Sequence, residues 1–186
     1  MILQRLILCL ALIMLGAFPA VAEIEKRAIV CDNGICFSWW PKLPELKGWY
    51  SDQEASESYS MHTLVPYGEN FADAETVIYA NAPYKPRMPK VTTVETLIED
   101  DQKDFRQNVP GIAIKEIEPV VTADGQRLRS FLFMPPTGSS ESWERVSYGE
   151  EGDFYLIFTL SSRTKDSMNH RLDDYLSLIR AYRSTW

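Results

Sequence analysis

Hydrophobic and polar positions alternate with a period of two over most of this chain. In two stretches they repeat with the helical period. Val30, Ile35, Phe37 and Trp39 fall on one side of a strand hairpin, and Cys31, Cys36, Ser38 and Trp40 on the other. Large apolar groups on both sides predict a sheet covered on both faces. Pro41 and Pro44 end the strand, and "KLPELKGWY" reads as a loop ending near Trp49. "YSMHTLV", Tyr59 to Val65, reads as a strand stopped by Pro66-Tyr67-Gly68. "ETVIYAN", Glu75 to Asn81, reads as another, with Val77 and Tyr79 on one face. Ala82 to Lys90, "APYKPRMPK", interleaves prolines with Lys85, Arg87 and Lys90 and reads as a connection.

The helical period begins at Thr92, where Thr92-x-x-Glu95 has the form of a capping box. Val94, Leu97, Ile98, Asp101 and Phe105 share one helical stripe, and Pro110-Gly111 ends the segment. Strands follow at Ile112 to Thr122 and Gln126 to Met134, separated by the turn Ala123-Asp124-Gly125. Pro135 to Ser142 is a polar loop, and Trp143 to Tyr148 and Phe154 to Ser161 form a hairpin around "GEEGD". A last helix runs from about Lys165 to Tyr182, with Met168, Leu172, Tyr175, Ile179 and Tyr182 as its apolar stripe. Short turns make neighbouring strands antiparallel. The expected class is α+β: a single, mainly antiparallel sheet with helices on both faces, an α/β/α sandwich.

The N-terminus changes the picture of where the chain works. Arg5 precedes an apolar run from Leu6 to Phe18, and Ala20-Val21-Ala22 is a small-x-small cleavage signal. This is the layout of a secretory signal peptide over residues 1–22. The run is shorter than the roughly 20 residues a spanning helix needs. Cys9 lies inside it, away from the cleavage site. The expected mature chain is residues 23–186, one exported domain, periplasmic or secreted, with no transmembrane span after cleavage. The whole chain carries a formal charge of −7, and removing Arg5 makes it more negative. An acidic chain repels phosphate backbones, so nucleic acid is not an expected partner. With 45% apolar and 12% aromatic residues the chain is globular, not disordered.

Two mature cysteines flank an Asn-Gly pair in "IVCDNGICFSWW". An even count in an exported chain reads as a disulfide, Cys31 to Cys36. With Asn33-Gly34 as a type I′ turn, Asp32 pairs with Ile35 and Cys31 faces Cys36. The Cα atoms at such a position lie about 4.5 Å apart, inside the disulfide span of about 4.4–6.8 Å. A redox pair favours Cys-x-x-Cys at a helix N-terminus, and a zinc site needs further ligands; both readings are weaker. His62 and His170 are isolated in sequence.

"FSWWPKLPELKGW" resembles the strand, proline and glycine-tryptophan opening of the PsbP-like fold. "ERVSYGEEGDFYLIFTLSSRTKDSMNHRLDDYLSLIRAYR" resembles its closing hairpin and helix, and "AETVIYANAPYK" and "ETLIEDDQKDFRQNVPG" fit its middle. That fold is shared by the PsbP subunit of photosystem II, a yeast Ran-binding import factor and small exported bacterial proteins of the DcrB type. The resemblance spans roughly Phe37 to Arg183 and rests on pattern and element order. It implies a binding or assembly-assisting protein without catalysis, and it transfers no metal-site or Ran-contact residue. The cysteine hairpin is no hallmark of that family.

The remaining constellations are weak. Glu99-Asp100-Asp101 with Asp104 reads as a solvated helix face, and Glu150, Glu151 and Asp153 as a polar turn, ahead of calcium sites. His62 lacks a recognisable nucleophile and orienting partner. No catalytic residue, metal or cofactor is expected. The aromatic group Trp39, Trp40, Trp49 and Tyr50 around the Pro-Lys-Leu-Pro loop is the candidate partner-binding surface, since these rings bury much area at low entropy cost. They serve equally as caps on the sheet. The basic loop Lys85, Arg87 and Lys90 fits an acidic partner, lipid headgroups or solvent. The expected function is an exported, non-enzymatic binding or assembly protein with a protein partner; a thiol-redox protein, a hydrolase and a small-ligand binder are the alternatives.

Overall fold

A computed structural model describes residues 24–31 and 34–184, except for the side chain of Cys31. The leader, its cleavage site and Glu23 lie outside these residues. The first two strands, β1 (Ile24–Cys31) and β2 (Gly34–Pro41), form a separate two-stranded sheet. The main sheet has seven strands: β3 (Trp49–Ser51), β4 (His62–Pro66), β5 (Thr76–Asn81), β6 (Ala113–Val121), β7 (Arg127–Met134), β8 (Trp143–Glu151) and β9 (Phe154–Ser162). Among the described residues, three α-helices accompany them: α1 (Gln53–Tyr59), α2 (Val94–Asn108) and α3 (Lys165–Ala181). The order across the sheet is β3-β4-β5-β9-β8-β7-β6, with every neighbouring pair antiparallel. The α+β class and the antiparallel sheet are as the pattern predicts.

Burial follows the two-residue period. Along β9, Leu156, Phe158 and Leu160 join Met168, Tyr175, Leu178 and Ile179 of α3 in one apolar cluster. The intervening Tyr155 and Ile157 join Leu97, Ile98 and Phe105 of α2 in another. The helical stripes read from the sequence are therefore the buried ones. Tyr175, fully buried, also ties α3 to the sheet by donating to the Phe158 carbonyl at 2.9 Å, beside the Ser147 hydroxyl at 2.9 Å. Burial pushes its phenol well above the ordinary range.

The structure departs from the sequence reading in four places. Tyr59 is not in a strand but ends α1, and Ser60 leaves it in the left-handed region at φ 59°. This helix has no apolar stripe to announce it. Asp52 caps it, accepting from Ala55 N–H at 3.0 Å, and buried Ala55 and Ser56 seat it on β4. The capping box of α2 is Thr93 with Thr96, one residue beyond the expected pair; Glu95 instead faces Arg129. The short strand β3 falls where the sequence reads as a loop end.

The fourth departure concerns the hairpin. Val30 pairs with Ile35 and Cys31 with Gly34, where the expected register set Cys31 against Cys36. The expected turn position Asn33 lies outside the described residues; Gly34, at the start of β2, has a positive φ of 125°. The pairing differs from the expected one by two residues, which leaves every side chain on its expected face. Cys36 lies opposite Ile29, however, and Cys31 is its diagonal neighbour. The directly opposed position is thus not realised. Nor is the hairpin covered on both faces: Val30 is 93%, Ile35 73% and Phe37 40% exposed. It is joined to the main sheet near its base, where Ala82 N–H donates to the Trp39 carbonyl at 2.9 Å.

Candidate functional site

The base of the hairpin, the loop from Lys42 to Gly48, β3 and α1 enclose a groove of about 870 Å3. Its walls include Trp40, Trp49 and Tyr50, three of the four aromatic residues singled out in the sequence. Trp40 and Trp49 are only 4% and 3% exposed, so they form the floor. Trp49 donates from Nε1 to Asp174 Oδ2 at 3.0 Å, and the Arg171 guanidinium lies 5.4 Å from its ring centre. These contacts to α3 fix the indole. Tyr50 stacks on Tyr67 with ring centres 5.9 Å apart and donates to the Glu69 carbonyl at 2.6 Å. Trp39 lies apart from these three: it points to the other face of β2, against Tyr84 and Phe154 at 5.2 and 6.2 Å. The group is therefore split by the period of the strand.

The groove also brings together residues that are far apart in sequence. His62, at the start of β4, faces Ser51, at the end of β3, with Nε2 and Oγ 3.1 Å apart. The other ring nitrogen, Nδ1, accepts the Leu43 N–H at 3.2 Å and lies 3.1 Å from the Pro41 carbonyl. The Leu43 N–H suits a lone pair on Nδ1 and the Pro41 carbonyl suits a proton there, so the surroundings accommodate either neutral tautomer. Burial lowers the His62 pKa, against a smaller opposing pull from the Pro41 carbonyl. In either tautomer Nε2 and the Ser51 hydroxyl can share one hydrogen bond. The rim carries Glu25, Arg27, Lys42, Glu45, Lys47 and Glu57, both signs in alternation.

No protein-family model and no curated protein matches the chain.

The other sequence candidates lie elsewhere. His170 is exposed on α3. The acidic turn between β8 and β9 is engaged within the protein. Glu150 is paired with Lys85 at 2.8 Å, and the buried Glu151 accepts the Tyr182 hydroxyl at 2.6 Å. Asp101 of α2 accepts the Tyr148 hydroxyl, and burial raises its pKa. Lys85 also reaches the Gly152 carbonyl at 2.8 Å, and Arg87 donates to the Phe37 carbonyl at 3.1 Å. Among the described residues no group of three or more His, Cys, Asp and Glu side chains is placed to hold a metal ion.

Sequence reasoning missed a second polar cluster. Glu144 of β8 accepts the Tyr79 hydroxyl at 3.0 Å and the Ser161 hydroxyl at 3.2 Å. Burial pushes its carboxyl up to about 7, although both hydroxyl bonds pull the other way. Nothing in the local sequence marks Glu144. Its partners come from β5 and β9, and only the strand order brings them together.

Proposed function

We propose that this chain is an exported, non-catalytic binding or assembly protein of PsbP-like α/β/α build, and that the groove beside β3 receives a segment of a partner protein. The observation that carries the reading is the convergence of Trp40, Trp49 and Tyr50 on one cavity of about 870 Å3. That volume lies in the range of about 300–1,000 Å3 typical of ligand sites. Aromatic floors with polar rims are also the usual anatomy of interface anchor pockets.

Three further features support it. Alternate residues of β9 pack into two clusters with different helices, as a sheet covered on both faces requires. The short strand β3 is an edge of the main sheet. Gly48, Tyr50 and Asp52 direct their backbone groups toward β4, as the bonds from Tyr67 N–H to the Gly48 carbonyl and from Asp52 N–H to the Thr63 carbonyl require. The N–H and C=O of Ser51 then project outward, a pairing edge for an extended segment. Among the described residues, no helix is long and apolar enough to cross a membrane; the leader pattern of residues 1–22 motivates export.

The test is retention of partners from the native envelope or secreted fraction by the tagged chain and by a Tyr50→Ala, Lys47→Glu variant. These positions line the groove without forming its buried floor, so the fold should persist. We expect at least one specific partner, lost in the variant. Identical retention by both chains, or none by either, overturns the reading. Labelling of Ser51 by a serine-reactive fluorophosphonate, abolished by His62→Ala, would replace it with a hydrolase.

A further inference from the structure

We propose that one face of the β1–β2 hairpin is a docking surface for an anionic lipid bilayer. The inference is independent of the groove, which opens by the base of the hairpin and uses the other face of β2.

The face is built by the strand period. Pairing Val30 with Ile35, Ala28 with Phe37 and Lys26 with Trp39 puts these six side chains on one side. From the loop inward they run aliphatic, then small and aromatic, then cationic and aromatic. Val30 and Ile35 are the most exposed large apolar residues described, at 93% and 73%. Lys26 lies at the rear with its ammonium 4.1 Å from the centre of the Phe37 ring. Arg87 flanks the same end, its guanidinium 4.5 Å from the Trp39 ring centre. The acidic residue of β1, Glu25, is on the opposite face, where Arg27 holds it at 2.6 Å.

This sequence of chemistries matches the depth profile of a bilayer interface. Aliphatic groups enter hydrocarbon, aromatic rings sit at the boundary, and lysine and arginine reach the phosphates. Val30 and Lys26 are four residues apart, roughly 13 Å at about 3.3 Å per residue. Immersing the outer rungs by about 5–10 Å therefore leaves both cations at headgroup level. The outer rungs project into solvent. A fluid apolar phase conforms to such a surface, whereas a folded partner needs a matching cavity. The chain as a whole is acidic, with a formal charge of −7. This cationic end thus orients the approach, and binding is weak and salt-sensitive.

The experiment is co-sedimentation of the exported chain, its N-terminus defined by mass spectrometry, with vesicles of phosphatidylcholine alone or mixed equally with phosphatidylglycerol. We expect binding to the mixed vesicles, little to phosphatidylcholine, and release near 1 M salt, where screening acts within about 3 Å. Val30→Asp and Ile35→Asp should each weaken the partition about tenfold or more. Lys26→Glu should weaken it. Thermal unfolding of each variant verifies the fold; all three positions are exposed. Absence of binding to the mixed vesicles at low salt overturns the proposal. So does binding that is indifferent to Val30, Ile35 and Lys26, or capture of a protein through this face without any vesicle binding.

Discussion

Replacing Glu144 by Gln should stabilise the protein, and only above the acid range. The carboxyl accepts hydroxyls from Tyr79 and Ser161 in a partly buried setting between β5, β9 and β8. Burial is the largest influence on it and raises its pKa from 4.5 to about 7. The sign follows from linkage. A carboxyl whose folded pKa is raised contributes no penalty below its unfolded pKa, where it is protonated in both states. As pH climbs from 4.5 through about 7, the unfolded chain ionises first and the fold loses stability. The shift corresponds to a ceiling of about 3 kcal/mol at about 1.4 kcal/mol per unit. Glu144 retains some solvent contact, which screens the carboxylate, so we expect about 2 kcal/mol. Gln keeps an oxygen for the two hydroxyls and cannot ionise. Urea denaturation of both chains at about pH 5 and about pH 8 measures the difference. The variant should match the parent within about 1 kcal/mol at the lower pH and exceed it by about 2 kcal/mol at the higher. A constant difference at both values would refute the argument, because it would mean that Glu144 titrates alike in the folded and unfolded chain.

Two other outcomes are expected. Gly149→Ala should destabilise by about 1–3 kcal/mol in a denaturant titration. A Cβ there collides with Leu128 Cδ2, which is fully buried, and crowds Gln126 Oε1 at 3.2 Å; a neutral or stabilising result would show that Leu128 has room to yield. Cys31 and Cys36 should be joined in the exported protein, seen as a mass two hydrogen atoms below the reduced chain under non-reducing conditions. Replacing both by Ala should cost about 2 kcal/mol or less without loss of the fold, because the hairpin is a sheet of its own; two free thiols would refute the pairing.

The sequence by itself determined the helices and strands that carry a strong period. The stripe Val94, Leu97, Ile98, Phe105 and the stripe Met168, Tyr175, Ile179, Tyr182 can bury only as helices, and both are buried against the sheet. The hairpin faces were legible for the same reason, since parity survives a two-residue change of register. Elements held by other means were not. The helix α1 depends on one Asp52 cap and on the seat that β4 provides. The hairpin register turned on a choice of turn geometry that composition leaves open. The groove was half legible: Trp40, Trp49 and Tyr50 are conspicuous in sequence, but that they share a cavity with Ser51 and His62 while Trp39 does not follows from the placement of β3 beside β4. Glu144 was invisible for a stronger reason. A carboxylate's ionisation depends on the water it loses and the hydroxyls it meets, and both are fixed only when β5, β9 and β8 lie side by side.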